Sequence, residues 1–412
     1  MRILFLFFSF VFASTAFAKT WVVNQAGDVP SIKKAIEIAS AGDTILVYKG
    51  TYQEGNIVVD KPLVIIGKDY PVVDGVFKHE VFTVLANDVT IANFKIINVG
   101  VSSMHDKAAI GGENIKRLLV KGNQIEMAFF GIHLSNAKSC LIEDNNLKAN
   151  AIDETGTGNG IHLWKSNDIT VRNNRVEGHR DGIYFEFVTN SNIVGNTSVN
   201  NLRYGLHFMF SHNDAYTDNL FKNNGSGIAV MYSKQVTMTR NRFEENWGSA
   251  TYGLLLKDIS ESTITQNIFY KNTMAIYLEG ASRNKIFKNE FRENGYALKL
   301  QASCDDNVID QNNFIGNTFD VGTNGILTLN FIKNNYWDKY QGYDLNKDGV
   351  GDIPFHPVSL YSMIVEKMPT AVMLWRSFLV LLLDRAEKVI PAVTPENLRD
   401  DFPVMKLHDL ST

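Results

Sequence analysis

A short unit repeats nine times between residues 127 and 337. Aligned on an Asn two residues before a usually apolar position, the copies stand at Asn145, Asn174, Asn196, Asn219, Asn241, Asn267, Asn289, Asn312 and Asn334. The steps between them are 29, 22, 23, 22, 26, 22, 23 and 22 residues. Upstream of most copies, a Gly or Ala opens an apolar-x-apolar pattern: Gly131, Gly160, Gly182, Gly205, Gly227, Gly253, Ala275 and Ala297. A unit this short cannot bury its own apolar face, so the copies must stack coil on coil. The pattern predicts an all-β fold, a right-handed parallel β-helix with an N-terminal capping helix and a C-terminal helical extension.

Within a strand, alternate side chains face opposite ways. In the Gly160 copy, Ile161 and Leu163 turn inward while His162 and Trp164 turn outward. Ile142, Val171, Ile193, Met238, Ile264, Ile286 and Ile309 are expected inward on a second strand. Leu147, Val176, Phe221, Phe243, Phe269, Phe291 and Phe314 form a core column on a third. A further Asn, as at Asn201, Asn224 and Asn246, marks a corner where Asn tolerates left-handed backbone and pairs with its neighbours. His179 takes that place once.

The ends differ from the middle. Residues 1–18 read as an export signal: Arg2, an apolar run from Ile3 to Phe12, then Ala16-Phe17-Ala18. Residues 19–54 are expected to cap the solenoid, with Ser31 opening a helix whose apolar face is Ile32, Ala35, Ile36 and Ala39. Coils then fill 55–340. Cys140 and Cys304 lie in distant coils, on the order of 30 Å apart, too far for a disulfide. Residues 341–357 form an Asp/Asn/Gly-rich loop in which Asp344, Asn346, Asp348, Gly349 and Asp352 match much of a calcium loop. Phe355 stands where that loop needs a Glu. A bound calcium and a plain closing turn both fit. Residues 358–412 are expected to hold one helix between Pro369 and Pro391, with Trp375, Phe378, Leu379 and Leu382 as partner-binding residues. It is too short to cross a bilayer and too apolar to lie bare in water. A polar tail from Thr394 to Thr412 is expected to be loosely ordered until bound. A net charge of −4 without a Lys or Arg run gives no footprint for nucleic acid.

The outward positions carry the chemistry. One column runs His133, His162, Tyr184, His207, Ala229, Leu255; the next runs Ser135, Trp164, Glu186, Met209, Met231, Lys257. Two longer steps place insertions, Ala151 to Gly158 and Trp247 to Tyr252, at one corner beside them. Imidazole with thioether suits Cu(I), whereas calcium or magnesium would want clustered carboxylates. The candidate copper ligands are His207, Met209 and Met231, with His162, Glu186 and His179 near them. The alternative is a carbohydrate-binding or polysaccharide-cleaving β-helix using His179, Arg180, Asp181 and Glu186. A glycosidase needs two facing carboxylates, and a regular strand would put Asp181 and Glu186 on opposite faces. The expectation is therefore a binding protein, not an enzyme.

The stretches AGDVPSIKKAIEIASAGDTILVYKGTY, GNGIHLWKSNDITVRNNRVEGHRDGIYFEF, RYGLHFMFSHNDAYTDNLF and NYWDKYQGYDLNKDGVGDIP resemble the NosD family over essentially the whole mature chain. The resemblance implies a periplasmic protein held at the membrane through an ABC transporter, with its transmembrane subunit and cytoplasmic ATPase. It implies transient copper, or a sulfur species, passed to the copper-sulfur site of nitrous oxide reductase, with a copper-chaperone lipoprotein upstream.

Overall fold

The two sequence periods, two within a strand and about 22 between coils, appear as three parallel sheets. The computed structural model describes residues 18–102, 106–150, 152–154, 156–325, 329–389 and 398–410. Most of the expected export signal lies outside them. Sheet I has 14 strands, from Thr20–Val23 to Leu329–Lys333; sheet II has 13, from Thr51–Tyr52 to Tyr336–Trp337; sheet III has 12, from Ile57–Val59 to Phe319–Thr323. Strands one coil apart pair in parallel, as Ile193 with Tyr216 and Phe221 with Phe243. The chain is thus a parallel β-helix whose core is the inward half of every strand.

Packing follows from the coil repeat. Phe221, Phe243, Phe269, Phe291, Phe314 and Trp337 stack with ring centroids 4.0–5.6 Å apart, close to the spacing of paired strands. At the corner between sheets I and II, Asn Oδ1 of each coil accepts the backbone N–H and side-chain amide of the preceding coil's Asn, at 2.9–3.1 Å. The ladder runs from Asn123 to Asn335. It thereby pairs backbone groups that a buried corner would otherwise leave without partners. The expected ninth mark, Asn334, is not its rung. Asn334 has a left-handed φ of 55°, and Asn335, three residues after the buried Ile332, takes the place. A second ladder from Asn201 to Asn317 lines the corner between sheets II and III.

Helix α1 (Ile32–Ile38) closes the N-terminal end. Ser31 Oγ accepts the Lys34 N–H, and Ile32, Ala35 and Ile36 are buried. Cys140 and Cys304 are buried free thiols.

The C-terminal end departs from expectation twice. Helix α2 (Leu360–Lys367) lies on the outer surface of sheet III, where Tyr361 packs on Phe319 and Glu366 meets Lys299 at 2.8 Å. The single helix expected from Pro369 is broken into a 3-10 segment, Pro369–Leu374, and helix α3 (Phe378–Val389). The break falls where Trp375 turns back against Phe319 and Tyr361, with Arg376 at φ 65°. The tail is also not loose over 398–410. Leu398 and Asp400 are fully buried, and Asp400 Oδ2 accepts from Asn335 N–H, Asn335 Nδ2 and Trp337 Nε1 at 2.9, 3.1 and 3.0 Å. The last rung of the Asn ladder has no next coil to bond to, and the returning tail supplies the acceptor.

Candidate metal site

The strand register of sheet III confirms two outward rows. His133, His162, Tyr184, His207 and Ala229 are successive partners, as are Ser135, Trp164, Glu186, Met209, Met231 and Lys257. A third outward row was not foreseen. Pairing skips the marker Gly, running Asp181 with Tyr204 and then Ile183 with Leu206. The alternation breaks there, and the residue before the Gly joins the outer face. Tyr204 lies 4.7 Å from the His207 ring, Phe130 lies 5.3 Å from His133, and Asp181 Oδ2 lies 3.6 Å from His207 Nδ1. Asp181 therefore shares a face with Glu186, against the expectation of opposite faces. The aromatic residues before Gly131, Gly205 and Gly253 were the available signal.

His207 sits at the meeting of these rows. It is 7% exposed, flanked by Tyr184 at 4.9 Å and Tyr204, and neither ring nitrogen has a hydrogen-bond partner. Two residues along the strand, Met209 Sδ is 3.9 Å from the Tyr184 hydroxyl, which also donates to Glu186 Oε2 at 3.3 Å. Burial and the Glu186 carboxylate push the Tyr184 phenol up to about 12. Met231 is the register partner of Met209 one coil on. The face thus gathers His207, Met209, Met231, Glu186 and Tyr184.

It does not gather the other two expected ligands. His162 lies behind Tyr184, whose ring is 4.7 Å away. Asn159 Oδ1 is taken by Arg180 Nη2 at 3.2 Å, so its amide N–H faces His162 Nδ1, also at 3.2 Å. Nδ1 accepts, and the proton stays on Nε2. Burial, helped by His133, holds this imidazole neutral, with a pKa of about 3. His179 is inside the solenoid as the first member of the second ladder, its N–H on Asn201 Oδ1 at 3.0 Å. It is fully buried, which lowers its pKa to about 4.

Among the described residues, no three His, Cys, Asp or Glu stand close enough to hold a metal ion. Around His207 the face offers two thioethers and one imidazole beside the Glu186 carboxylate, a donor set for a soft monovalent ion rather than a hard cation. In the loop after the last coil, the oxygens of Asp344, Asn346, Asp348 and Asp352 accept backbone N–H groups of Gly349, Asp348, Val350 and Leu345 at 2.6–3.1 Å.

One exposed aromatic row borders this face, and a second exposed apolar feature lies further along the solenoid. Phe187, Phe210 and Tyr232, each next in sequence to Glu186, Met209 and Met231, stack at 5.1 and 5.0 Å. All three adopt left-handed backbone, with φ 55°, 50° and 53°, uncommon for bulky side chains. Because α2 packs on Phe319–Thr323, α3 lies on the same side of the solenoid as Met231, about four coils or roughly 20 Å away. Trp375, Phe378, Leu379 and Leu382 are 38%, 74%, 51% and 46% exposed.

The fold is that of the parallel β-helix proteins. The surface adhesin PfbA of Streptococcus pneumoniae superposes with a TM-score of 0.56 at 13% identity, over 71% of this chain and 86% of that one. The catalytic unit of an α-1,3-glucanase from Streptomyces thermodiastaticus gives 0.54 at 15%, over 74% and 62%. At such identities the likeness is one of fold. Within this class the chain is similar to one family in particular: residues 149–343 match the family described as "Periplasmic copper-binding protein (NosD)". A "Probable ABC transporter binding protein NosD" of Pseudomonas aeruginosa is 29% identical over 372 residues, 86% of each chain. Its namesake in Stutzerimonas stutzeri is 26% identical over 378 residues, 87% of this chain and 86% of that one.

Proposed function

We propose that this protein is a periplasmic copper carrier that holds Cu(I) on the outer face of sheet III through Met209, Met231 and His207, with Glu186 and Tyr184 beside them. The observation that carries the reading is a buried imidazole whose Nε2 has no hydrogen-bond partner, next to two thioethers in register on adjacent coils. An unpaired buried polar group costs about 1–3 kcal/mol, which a bound ion would offset. The family's description as copper-binding supports the same reading. Replacing His207 and Met209 together with alanine should weaken Cu(I) binding tenfold or more, about 1.4 kcal/mol, in competition with a Cu(I) chelator. Equal competition by parent and variant would remove this site from consideration.

The relatives' names point to an ABC transporter as partner. In this reading α3 docks on the periplasmic side of the transmembrane subunit, which covers Phe378, Leu379 and Leu382 and holds the copper face over the membrane. The cargo then passes to the copper-sulfur site of nitrous oxide reductase, with a lipoprotein chaperone upstream. Truncating the arm is a poor test, because Asp400 closes the last coil. Phe378→Asp with Leu382→Asp should leave the fold intact and abolish copurification with the transporter. Copurification at full yield would move the docking surface to the coils. No second reading is favoured: Asp181 is clamped by Arg203 and buried, a poor position for a general acid.

A further inference from the structure

Asp181 and Arg203 belong to no repeat mark, yet they are built tightly against His207. The Asp181 side chain has no solvent exposure, and its two oxygens accept from Arg203 Nε at 3.0 Å and Nη2 at 2.5 Å. Oδ2 also faces His207 Nδ1 at 3.6 Å, just beyond hydrogen-bond length. The carboxylate is thus fixed from behind by the Arg203 guanidinium and turned toward one nitrogen of an imidazole wedged between Tyr184 and Tyr204.

We infer that Asp181, clamped by Arg203, is the positioning residue that makes His207 a metal ligand; the inference rests on the copper-binding reading of this face. An imidazole that coordinates through one nitrogen must carry its proton on the other, and a carboxylate at that second nitrogen fixes the tautomer and ring orientation. Here Asp181 receives Nδ1–H and leaves the Nε2 lone pair to the ion. Met209 and Met231 supply sulfur from the next outward row. The spacing of 3.6 Å closes to a hydrogen bond with a small rotation of the ring. Arg203 does not touch the ion. It keeps the carboxylate from swinging away and cancels its charge, so that the site remains suited to a monovalent cation.

The test uses the full mature chain, with Cu(I) titrated against a chromogenic chelator and the copper shell read by X-ray absorption. In His207→Ala and Asp181→Asn, the affinity should fall tenfold or more, and the nitrogen scatterer should disappear while sulfur remains. Arg203→Gln keeps the carboxylate but frees it, and should weaken binding by a smaller factor. If Asp181→Asn keeps its nitrogen scatterer, at any affinity, Asp181 serves only the fold and the inference is overturned while the copper site stands. Should His207→Ala match the parent in affinity and spectrum, the copper-site reading falls and takes the inference with it. If circular dichroism shows Asp181→Asn unfolded, Arg203→Gln decides: parent affinity with an intact nitrogen shell overturns the clamp.

Discussion

Replacing Asp400 with alanine should destabilise the C-terminal coils by about 3 kcal/mol or more. One carboxylate oxygen accepts from Asn335 N–H, Asn335 Nδ2 and Trp337 Nε1 inside a fully buried corner, and the other accepts from Phe402 N–H at 3.0 Å. Alanine would leave two of these donors, Asn335 N–H and Trp337 Nε1, without acceptors where water does not reach; Asn335 Nδ2 would keep the carbonyls of Ile309 and Lys333. Asp400→Asn keeps one carbonyl acceptor and should cost much less. Because each coil of a solenoid touches only its neighbours, the loss should appear first as fraying from that end. Amide exchange at Ile309, Phe314 and Asn335 should quicken well before that at Ile142 or Val171. Chemical denaturation of Asp400→Ala, Asp400→Asn and the parent measures the cost. An unchanged midpoint in the alanine variant would mean that the tail merely rests on the last coil.

The same residue shows where sequence reading stops. The fold was legible because its two periods are written in every coil, and the inward Ile and Phe columns fall where alternation puts them. Asp400 belongs to no period. It meets Asn335 across 65 residues, and only the open end of the ladder explains why an acidic residue is needed there. The tandem Asn334-Asn335 allowed an alignment off by one, since only the buried Ile332 sets which of the two is the rung. Trp375 ends a helix that its own sequence would continue, because a tertiary contact with Phe319 and Tyr361 outweighs local propensity. On the face, the rows through His207 and Met209 could be read from spacing. The row through Asp181 and Tyr204 could not, because the register skips Gly182 and Gly205 and alternation fails at that step. The interior place of His179 follows from its corner, and the tautomer of His162 from Asn159 and Arg180, neither of which a column of outward residues displays.

One buried acid predicts a gain in stability. Asp214 lies at the corner between sheets III and I, where Oδ1 accepts the Ser191 N–H at 2.7 Å and Oδ2 has no partner. Burial pushes its pKa up to about 8, only partly opposed by that N–H. The folded state therefore holds a proton that the unfolded chain releases near pH 4. The sign follows: this proton's contribution is fully present below about pH 4 and is lost as pH rises through about 8. Later coils place Asn at the same corner, and Asn284 Nδ2 donates to the carbonyl of Ile259 at 3.3 Å. By that pattern an amide at 214 can reach the carbonyl of Val188, which occupies the matching place. Asp214→Asn should thus match the parent at pH 4 and be more stable by about 2–4 kcal/mol at pH 8. The figure lies below the full titration energy because a buried carboxylate gains some relief from local relaxation. Denaturation midpoints across pH 4 to 8 test it. A parent–variant gap that is flat with pH would show that Asp214 is not protonated in the fold, whereas a variant less stable at pH 8 would show that its charge is needed.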